Sequence, residues 1–155
     1  MISPSKEEVK GWLDLILHIH DEVIEFTGGL EGVRDIGGLE HAVYSILQYR
    51  MNNPTKIFIH AAKVYQLLAT RHYFYDGNKR TSHVMAKTFL FLSDYHFTPK
   101  YKEAVNFIIE IGAGKKSVED IEKWLKSSTI KINKNNMKRL TEEFALRYEE
   151  MKNKD

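Results

Sequence analysis

Cysteine is absent from the 155-residue chain, which excludes disulfides, thiolate metal ligands and a thiol nucleophile. A chain without cysteine fits a reducing compartment, and its first residues lack the pattern of a signal peptide, so we expect a cytoplasmic protein. No apolar run approaches the roughly 20 residues of a membrane span, so we expect no membrane partner. Charge of one sign is also scarce. With 23 Lys and Arg against 21 Asp and Glu, we expect no direct binding of nucleic acid.

Proline and glycine are few, at 3 and 9 residues, and the apolar residues between them recur every three or four positions. This spacing is typical of amphipathic helices and predicts an all-α protein. Ser5 and Glu8 predict a capping box at the start of the first helix, and Ser117 with Asp120 predicts a capped start of a later one. The glycine-rich residues 28–38 predict a loop. The predicted helices lie at about residues 5–27, 39–52, 57–69, 79–95, 104–111, 118–128 and 133–155.

The chain has the length of a single domain with one hydrophobic core. We expect a domain over residues 1–130 and a charged C-terminal helix over residues 131–155 that packs on the same domain. Apolar residues recur at helical spacing in this terminal segment: Met137, Leu140, Phe144, Tyr148 and Met151. The groove of a partner chain is the alternative site for its apolar face.

The polar loop between the two central helices, HYFYDGNKRT at residues 72–81, combines groups that favour an anion. Gly77 and Asn78 stand at the predicted start of a helix, where unpaired amides and the positive end of the helix dipole attract phosphate or carboxylate. Lys79 and Arg80 add two positive charges, and the guanidinium of Arg80 matches the spacing of phosphate oxygens.

The same loop carries a carboxylate and a base. Asp76 stands among cations, and a carboxylate is a typical ligand of Mg²⁺ that arrives with substrate phosphates. His72, as a histidine with an ordinary pKa of about 6.5, can accept a proton near neutral pH. The loop therefore contains the groups needed for phosphate chemistry on a hydroxyl.

These ten residues resemble the active-site motif of the Fic/Doc family, specifically its death-on-curing (Doc) branch. Eight of them fit the pattern of that branch: His72, Phe74, Asp76, Gly77, Asn78, Lys79, Arg80 and Thr81. GVRDIGGLEHAV at residues 32–43 resembles a segment near the start of Doc-like domains, and SVEDIEKWL at residues 117–125 resembles their closing helix. The resemblance covers about residues 15–127.

The resemblance implies a Fic/Doc-type helical bundle with the active-site loop between two central helices. It implies that His72 is the general base, that Asp76 binds Mg²⁺ and that Phe74 anchors the loop. ATP would be the co-substrate, and the residues implied to hold its phosphates are Gly77, Asn78, Lys79 and Arg80.

The family contains two kinds of transfer. Fic proteins typically move AMP from ATP to a protein hydroxyl, whereas the Doc toxin phosphorylates a threonine of the elongation factor that delivers aminoacyl-tRNA. Here Lys79 replaces a glycine of the AMP-transfer pattern and His83 replaces its second arginine, which disfavours the AMP-transfer pose. The resemblance supplies no role for His83.

We therefore predict a Doc-like toxin kinase that transfers the terminal phosphate of ATP to a protein hydroxyl, on a translation elongation factor, and that pairs with an antitoxin chain. AMP transfer and a catalytically silent interaction module are the alternatives.

Several features have simpler interpretations. Asp76 and Arg80, four residues apart, could form an ordinary surface ion pair. Residues 27–32, TGGLEG, fit the loose pattern of an inhibitory helix found in some Fic proteins, but two glycines argue against a helix there. Arg34 and Asp35 are candidates for a structural ion pair or a loop-fixing role, with substrate contact as the alternative. The remaining histidines have core or surface roles by default: His18, His20, His41, His60 and His96.

Overall fold

The computed structural model describes residues 1–151, which form seven α-helices, two short strands and a final 3-10 turn at Glu149–Met151. The all-α prediction is confirmed, with 67% of the described residues in helices. The helices are α1 Lys6–Thr27, α2 Ile36–Asn52, α3 Ile57–Thr70, α4 Asn78–Leu92, α5 Tyr101–Gly112, α6 Val118–Ser127 and α7 Met137–Ala145; the strands are β1 Tyr95–Phe97 and β2 Thr129–Lys131. No helix within residues 1–151 combines the length and the apolar character that a membrane crossing needs.

Both predicted capping boxes are present. At α1, the Ser5 hydroxyl accepts a hydrogen bond of 3.1 Å from the Glu8 N–H, and the Glu8 carboxylate accepts one of 2.7 Å from the Ser5 N–H. At α6, Ser117 and Asp120 exchange the same two bonds, at 3.1 and 3.0 Å. These two helices therefore start where the sequence indicates.

The glycine-rich loop is shorter than predicted, because α2 begins at Ile36 rather than near Leu39. Asp35 is its N-cap, and the Asp35 carboxylate accepts a hydrogen bond of 2.9 Å from the Gly38 N–H. A Cβ atom on Gly38 would clash with a carboxylate oxygen of Asp35. The glycine thus makes room for the cap and sits inside the first helical turn, so assigning residues 36–38 to the loop was wrong.

The predicted helix over residues 79–95 ends early, at Leu92, because the chain turns through Asp94 into β1. Strand β1 pairs antiparallel with β2, with His96 opposite Ile130. Three residues are too few for an alternating pattern to be recognised in the sequence. The pairing brings the chain after α6 back across the end of α4.

Helices α3 and α4 form the centre of the bundle. One apolar cluster joins residues of α1 and α2 to one side of this pair, and a second joins α5 and α6 to the other side. Trp12 of α1 packs against both clusters. Because α4 is buried along most of its length, the loop that precedes it is held by the core.

The C-terminal segment forms a shorter helix than predicted. Helix α7 covers Met137–Ala145, and residues 152–155 of the predicted helix lie outside the described residues. Leu140 is fully buried, Phe144 stacks on Phe91 at a centroid distance of 4.1 Å, and Tyr148 stacks on Phe26 at 5.7 Å. The apolar face of this segment therefore contacts the helical body.

Candidate active site

The loop before α4 is held by a short antiparallel pairing with the segment that follows α1. Val33 and Phe74 form the bridge. The N–H groups of Arg34 and Asp35 both donate to the Tyr73 carbonyl, at 2.7 and 3.1 Å, and residue 75 donates to the residue 32 carbonyl at 3.3 Å. Arg34 and Asp35 thus fix the loop through their main chain, as the sequence suggested.

Phe74 ties the loop to the core. Its side chain is buried and stacks on the His20 ring at 3.8 Å, with the two planes 6° apart. His20 Nε2 lies 2.8 Å from the main-chain oxygen of Asp76, which can only accept, so Nε2 carries the proton. His20 thus has the core role expected by default and also bonds directly to the loop. The only sequence feature that pointed to this contact was the position of His20 on the apolar face of α1.

The Asn78 side chain shapes the same loop. Its carboxamide oxygen accepts a hydrogen bond of 3.1 Å from the Phe74 N–H, and its NH₂ group donates one of 2.9 Å to the Phe74 carbonyl. Both main-chain groups of a buried residue are thereby satisfied. The side chain of Asn78 is therefore engaged in hydrogen bonds within the loop.

Gly77 precedes the first residue of α4 in a left-handed conformation, with φ of 76°. No side chain caps the first turn of α4. Lys79 and Arg80 stand in that turn. Amides without a side-chain cap, the helix dipole and two cations together favour an anion at this position.

Arg80 and Asp76 are held from two directions. Arg80 Nη1 donates to the Thr27 hydroxyl and, at 2.8 Å, to the Gly28 carbonyl, while Nη2 lies 3.4 Å from Asp76 Oδ1. Asp76 Oδ1 also accepts from the Gly77 N–H at 2.8 Å, and Oδ2 accepts from the Leu30 N–H at 3.1 Å. The predicted ion pair is present, but it is one part of a larger set of contacts that the sequence did not indicate.

A cleft of about 280 Å³ opens over this loop. Its lining contains every predicted site residue except the buried Phe74, together with two further aromatic residues: His72, Tyr75, Asp76, Gly77, Asn78, Lys79, Arg80 and Tyr101. A larger cleft, of about 720 Å³, lies between α1 and α2 and shares none of these residues. The kinds of side chain that line the smaller cleft, rather than its volume, therefore identify it as the candidate site.

Two residues at the edge of the cleft have unusual features. His72 is exposed and has a positive φ of 52°, which is uncommon for a residue other than glycine. Tyr101, the first residue of α5, was not predicted. Burial raises the pKa of Tyr101 while the Arg80 guanidinium lowers it, so the hydroxyl keeps its proton at neutral pH and can donate.

His83 does not face the cleft. It is buried in the core one turn after Arg80 and shares a 2.5 Å hydrogen bond with the Tyr65 hydroxyl. Burial and the nearby Lys87 ammonium lower the pKa of His83 to about 3, although the Pro99 carbonyl acts in the opposite direction. His83 is therefore a neutral core residue at neutral pH.

The side chains at the cleft can bind a metal ion only if a ligand, such as a phosphate, supplies further donor atoms. Within residues 1–151, no group of three or more His, Cys, Asp or Glu side chains could hold a metal ion. The Asp76 side chain is 42% exposed at the cleft, and a carboxylate has lone pairs for about four contacts. One carboxylate beside an anion site suits Mg²⁺ that arrives with nucleotide phosphates.

The pattern TGGLEG at residues 27–32 is not a helix beyond Thr27, as its glycines indicated. Glu31 is exposed, and in the described part of the chain it forms no ion pair with Arg80. The contact to Arg80 comes instead from Thr27 and Gly28. The segment therefore lacks the geometry of an inhibitory helix.

A family model described as the Fic/DOC family matches residues 12–90, just over half of the chain. The matched region includes His20, the segment after α1, the loop and nearly all of α4, whereas Tyr101 lies beyond it. No curated protein matches the chain.

Proposed function

The chain belongs to the Fic/DOC family, and we propose that it is a kinase of the Doc-like branch, which transfers the terminal phosphate of ATP to a hydroxyl on another protein. Members of the family are typically transferases that act on protein hydroxyls, and they generally use ATP and Mg²⁺. The proposal concerns which part of ATP is transferred, and to which protein.

The burial of His83 is the observation that carries the choice of a kinase. In the AMP-transfer pattern this position holds a second arginine. A neutral imidazole in the core, hydrogen-bonded to Tyr65, offers no charge to a phosphate. Arg80 is then the one arginine of the motif that lines the cleft in the described structure, and Lys79 stands where the AMP-transfer pattern has glycine. Lys79 and Arg80 together favour neutralising the terminal phosphate of ATP over holding all three phosphates in the AMP-transfer pose.

The cleft residues suggest how the transfer proceeds. The hydroxyl oxygen of the target attacks the terminal phosphorus, and its proton passes to the His72 imidazole. The bond between that phosphorus and the bridging oxygen breaks, and ADP leaves. Gly77, Asn78, Lys79 and Arg80 would hold the phosphates, and Asp76 would hold Mg²⁺, which neutralises phosphate charge when bound.

A protein substrate is supported by the apolar surface beside the cleft. The side chains of Leu30 and Tyr75 are 68% and 61% exposed, and both residues contact the catalytic loop or belong to it. Exposed apolar side chains next to a site are typical of protein partners. We propose a translation elongation factor as the target and an antitoxin chain as the second protein that covers this surface.

Labelled ATP distinguishes the possible activities. The protein is incubated with purified translation elongation factors, and in parallel with a whole lysate, using ATP labelled at either the terminal or the alpha phosphate. The control is His72→Asn, because asparagine tolerates the positive φ at this position and removes the base. We expect label from the terminal position on an elongation factor, lost in His72→Asn.

Each other outcome corrects the proposal at a different level. Label from the alpha position would identify AMP transfer. Terminal label on a different protein would support the kinase and change the target. The absence of His72-dependent label on every protein would reject both enzyme activities and leave an interaction module. Tyr75→Ser should reduce labelling of the target more than it reduces the affinity for ATP, if the apolar surface binds the protein substrate.

A further inference from the structure

The end of α1 surrounds the Asp76–Arg80 pair with neutral hydrogen-bonding groups. Thr27 donates its hydroxyl proton to the Val23 carbonyl at 2.6 Å, so its oxygen can only accept from Arg80. The Gly28 carbonyl accepts from the same Nη1 at 2.8 Å. On the other side of the pair, the Leu30 N–H donates to Asp76 Oδ2 at 3.1 Å.

Gly29 makes this arrangement possible. A Cβ atom at this position would lie 2.5 Å from Asp76 Oδ2 and 3.2 Å from Arg80 Nη2. Its φ of 122° is also in the region that favours glycine. Both the space and the conformation are therefore needed for the main chain to pass so close to the carboxylate.

The chemistry of these contacts differs from that of an ordinary ion pair. The Asp76 carboxylate and the Arg80 guanidinium are 3.4 Å apart, which is long for a charge-assisted hydrogen bond, so they orient each other weakly, and each cancels part of the other's charge. A hydroxyl, a carbonyl and an amide orient a charged group while leaving its charge available to a ligand. Groups ordered before binding also lose less freedom when the ligand arrives.

We propose that residues 27–30 are a positioning segment, which fixes the Arg80 guanidinium and the Asp76 carboxylate in the arrangement that binds nucleotide phosphate and Mg²⁺. The segment touches the two binding side chains and not the reacting atoms, so its residues position rather than catalyse. This inference rests on the proposed use of Asp76 and Arg80 in binding Mg²⁺-ATP.

The hydroxyl of Thr27 can be tested with two variants. Thr27→Val keeps the volume but removes the acceptor for Arg80, whereas Thr27→Ser keeps the acceptor. We expect Thr27→Val to weaken binding of Mg²⁺-ATP, measured by calorimetry, about tenfold, since a hydrogen bond to a charged group is lost. Thr27→Ser should restore binding to within about twofold. Equal affinities of the two variants would overturn the role of Thr27.

Gly29 has a matched control in Gly114. Gly29→Ala strains the main chain and also displaces the Asp76 carboxylate. Gly114→Ala causes the same kind of strain at φ of 75°, but its Cβ would meet nothing within 4 Å. We expect Gly29→Ala to weaken Mg²⁺-ATP binding at least about tenfold and Gly114→Ala to change it less than about twofold. Equal losses in the two variants would mean that strain alone is responsible.

A measurement without nucleotide separates this inference from the proposed function. In the unliganded protein, nuclear magnetic resonance should show slow rotation of the Arg80 guanidinium in the wild type and Thr27→Ser, and fast rotation in Thr27→Val. Exchange of the Leu30 amide should be at least about tenfold faster in Gly29→Ala than in Gly114→Ala. If the protein binds no ATP, the proposed function fails while these two signals still decide the positioning role; signals that do not differ between the variants reject it.

Discussion

Helices α1 and α6 begin with a serine whose side chain caps the first turn, whereas α4 begins after a left-handed glycine and has no side-chain cap. At α1 the bonds between Ser5 and Glu8 satisfy the start of the helix from within. At α4 the N-cap is Gly77, which has no side chain, and the side chain of the first helical residue, Asn78, binds the main chain of Phe74 instead. The capped starts serve stability, whereas the uncapped start is the one to which we assign an anion.

An uncapped start is not by itself a site. Helices α3 and α5 also begin without a capping side chain, after Lys56 and Lys100. What distinguishes α4 is the setting of its first turn: a cleft lined by His72, Asp76 and Arg80, above a helix that is buried from Thr81 to Leu90. The first turn of α4 therefore lines the cleft, whereas its second turn is buried. The substitutions below test this difference.

Replacing His83 with arginine should have the largest effect on stability, because it places a charge in the buried second turn of α4. His83→Arg should lower the free energy of unfolding by about 3–5 kcal/mol, since the guanidinium would be buried beside the Lys87 ammonium. Leu92→Arg, at a position of α4 that is 62% exposed, is the control and should change stability by less than about 0.5 kcal/mol. Denaturant unfolding measures both. Similar stabilities of the two variants would show that position 83 can hold a cation.

Asn78→Ala should have the next largest effect. It leaves the buried N–H and carbonyl of Phe74 without their partners, and we expect a loss of about 2–3 kcal/mol in the free energy of unfolding together with the loss of nucleotide binding. Asn136 offers a matched control at the start of α7, where its half-buried side chain also makes two main-chain hydrogen bonds, with Asn133 and Lys131, that are exposed to solvent. Asn136→Ala should cost at most about 1 kcal/mol, because water replaces the lost partners. Equal losses would show that burial of the loop does not matter.

The contrast between capped and uncapped helix starts also shows which features could be predicted from the sequence. The serine caps of α1 and α6 were predictable because each is a local pattern of four residues. The candidate site loop was recognisable for the same reason, since its groups lie within ten consecutive residues. The contacts from Thr27, Leu30 and His20 were not, because each joins residues about 50 positions apart and depends on how α1 packs beside α4. The start of α2 was missed because Gly37 and Gly38 favour loops unless a cap such as Asp35 holds the first turn.

Gly77→Ala tests the conformation of the uncapped start itself. A left-handed residue with a Cβ atom costs about 1–2 kcal/mol, and this Cβ would lie 3.0 Å from Ile24 Cδ1. Gly11→Ala, within α1 and with nothing within 4 Å, should instead stabilise the protein by up to about 1 kcal/mol. The melting temperatures should therefore move in opposite directions. A rise in both would mean that Gly77 can leave its left-handed conformation without cost.

The smallest effect is expected at the capped starts. Ser5→Ala and Ser117→Ala each remove one side-chain acceptor, and each should lower the free energy of unfolding by about 1 kcal/mol. Ser45→Ala, at an exposed position inside α2, controls for the higher helix propensity of alanine and should have an effect of opposite sign or none. Calorimetry should find unchanged affinity for Mg²⁺-ATP in all three variants, because none of the three serines lines the cleft over residues 72–81. A loss of affinity in Ser5→Ala or Ser117→Ala would connect helix stability to the cleft and would remove the distinction between the two kinds of helix start.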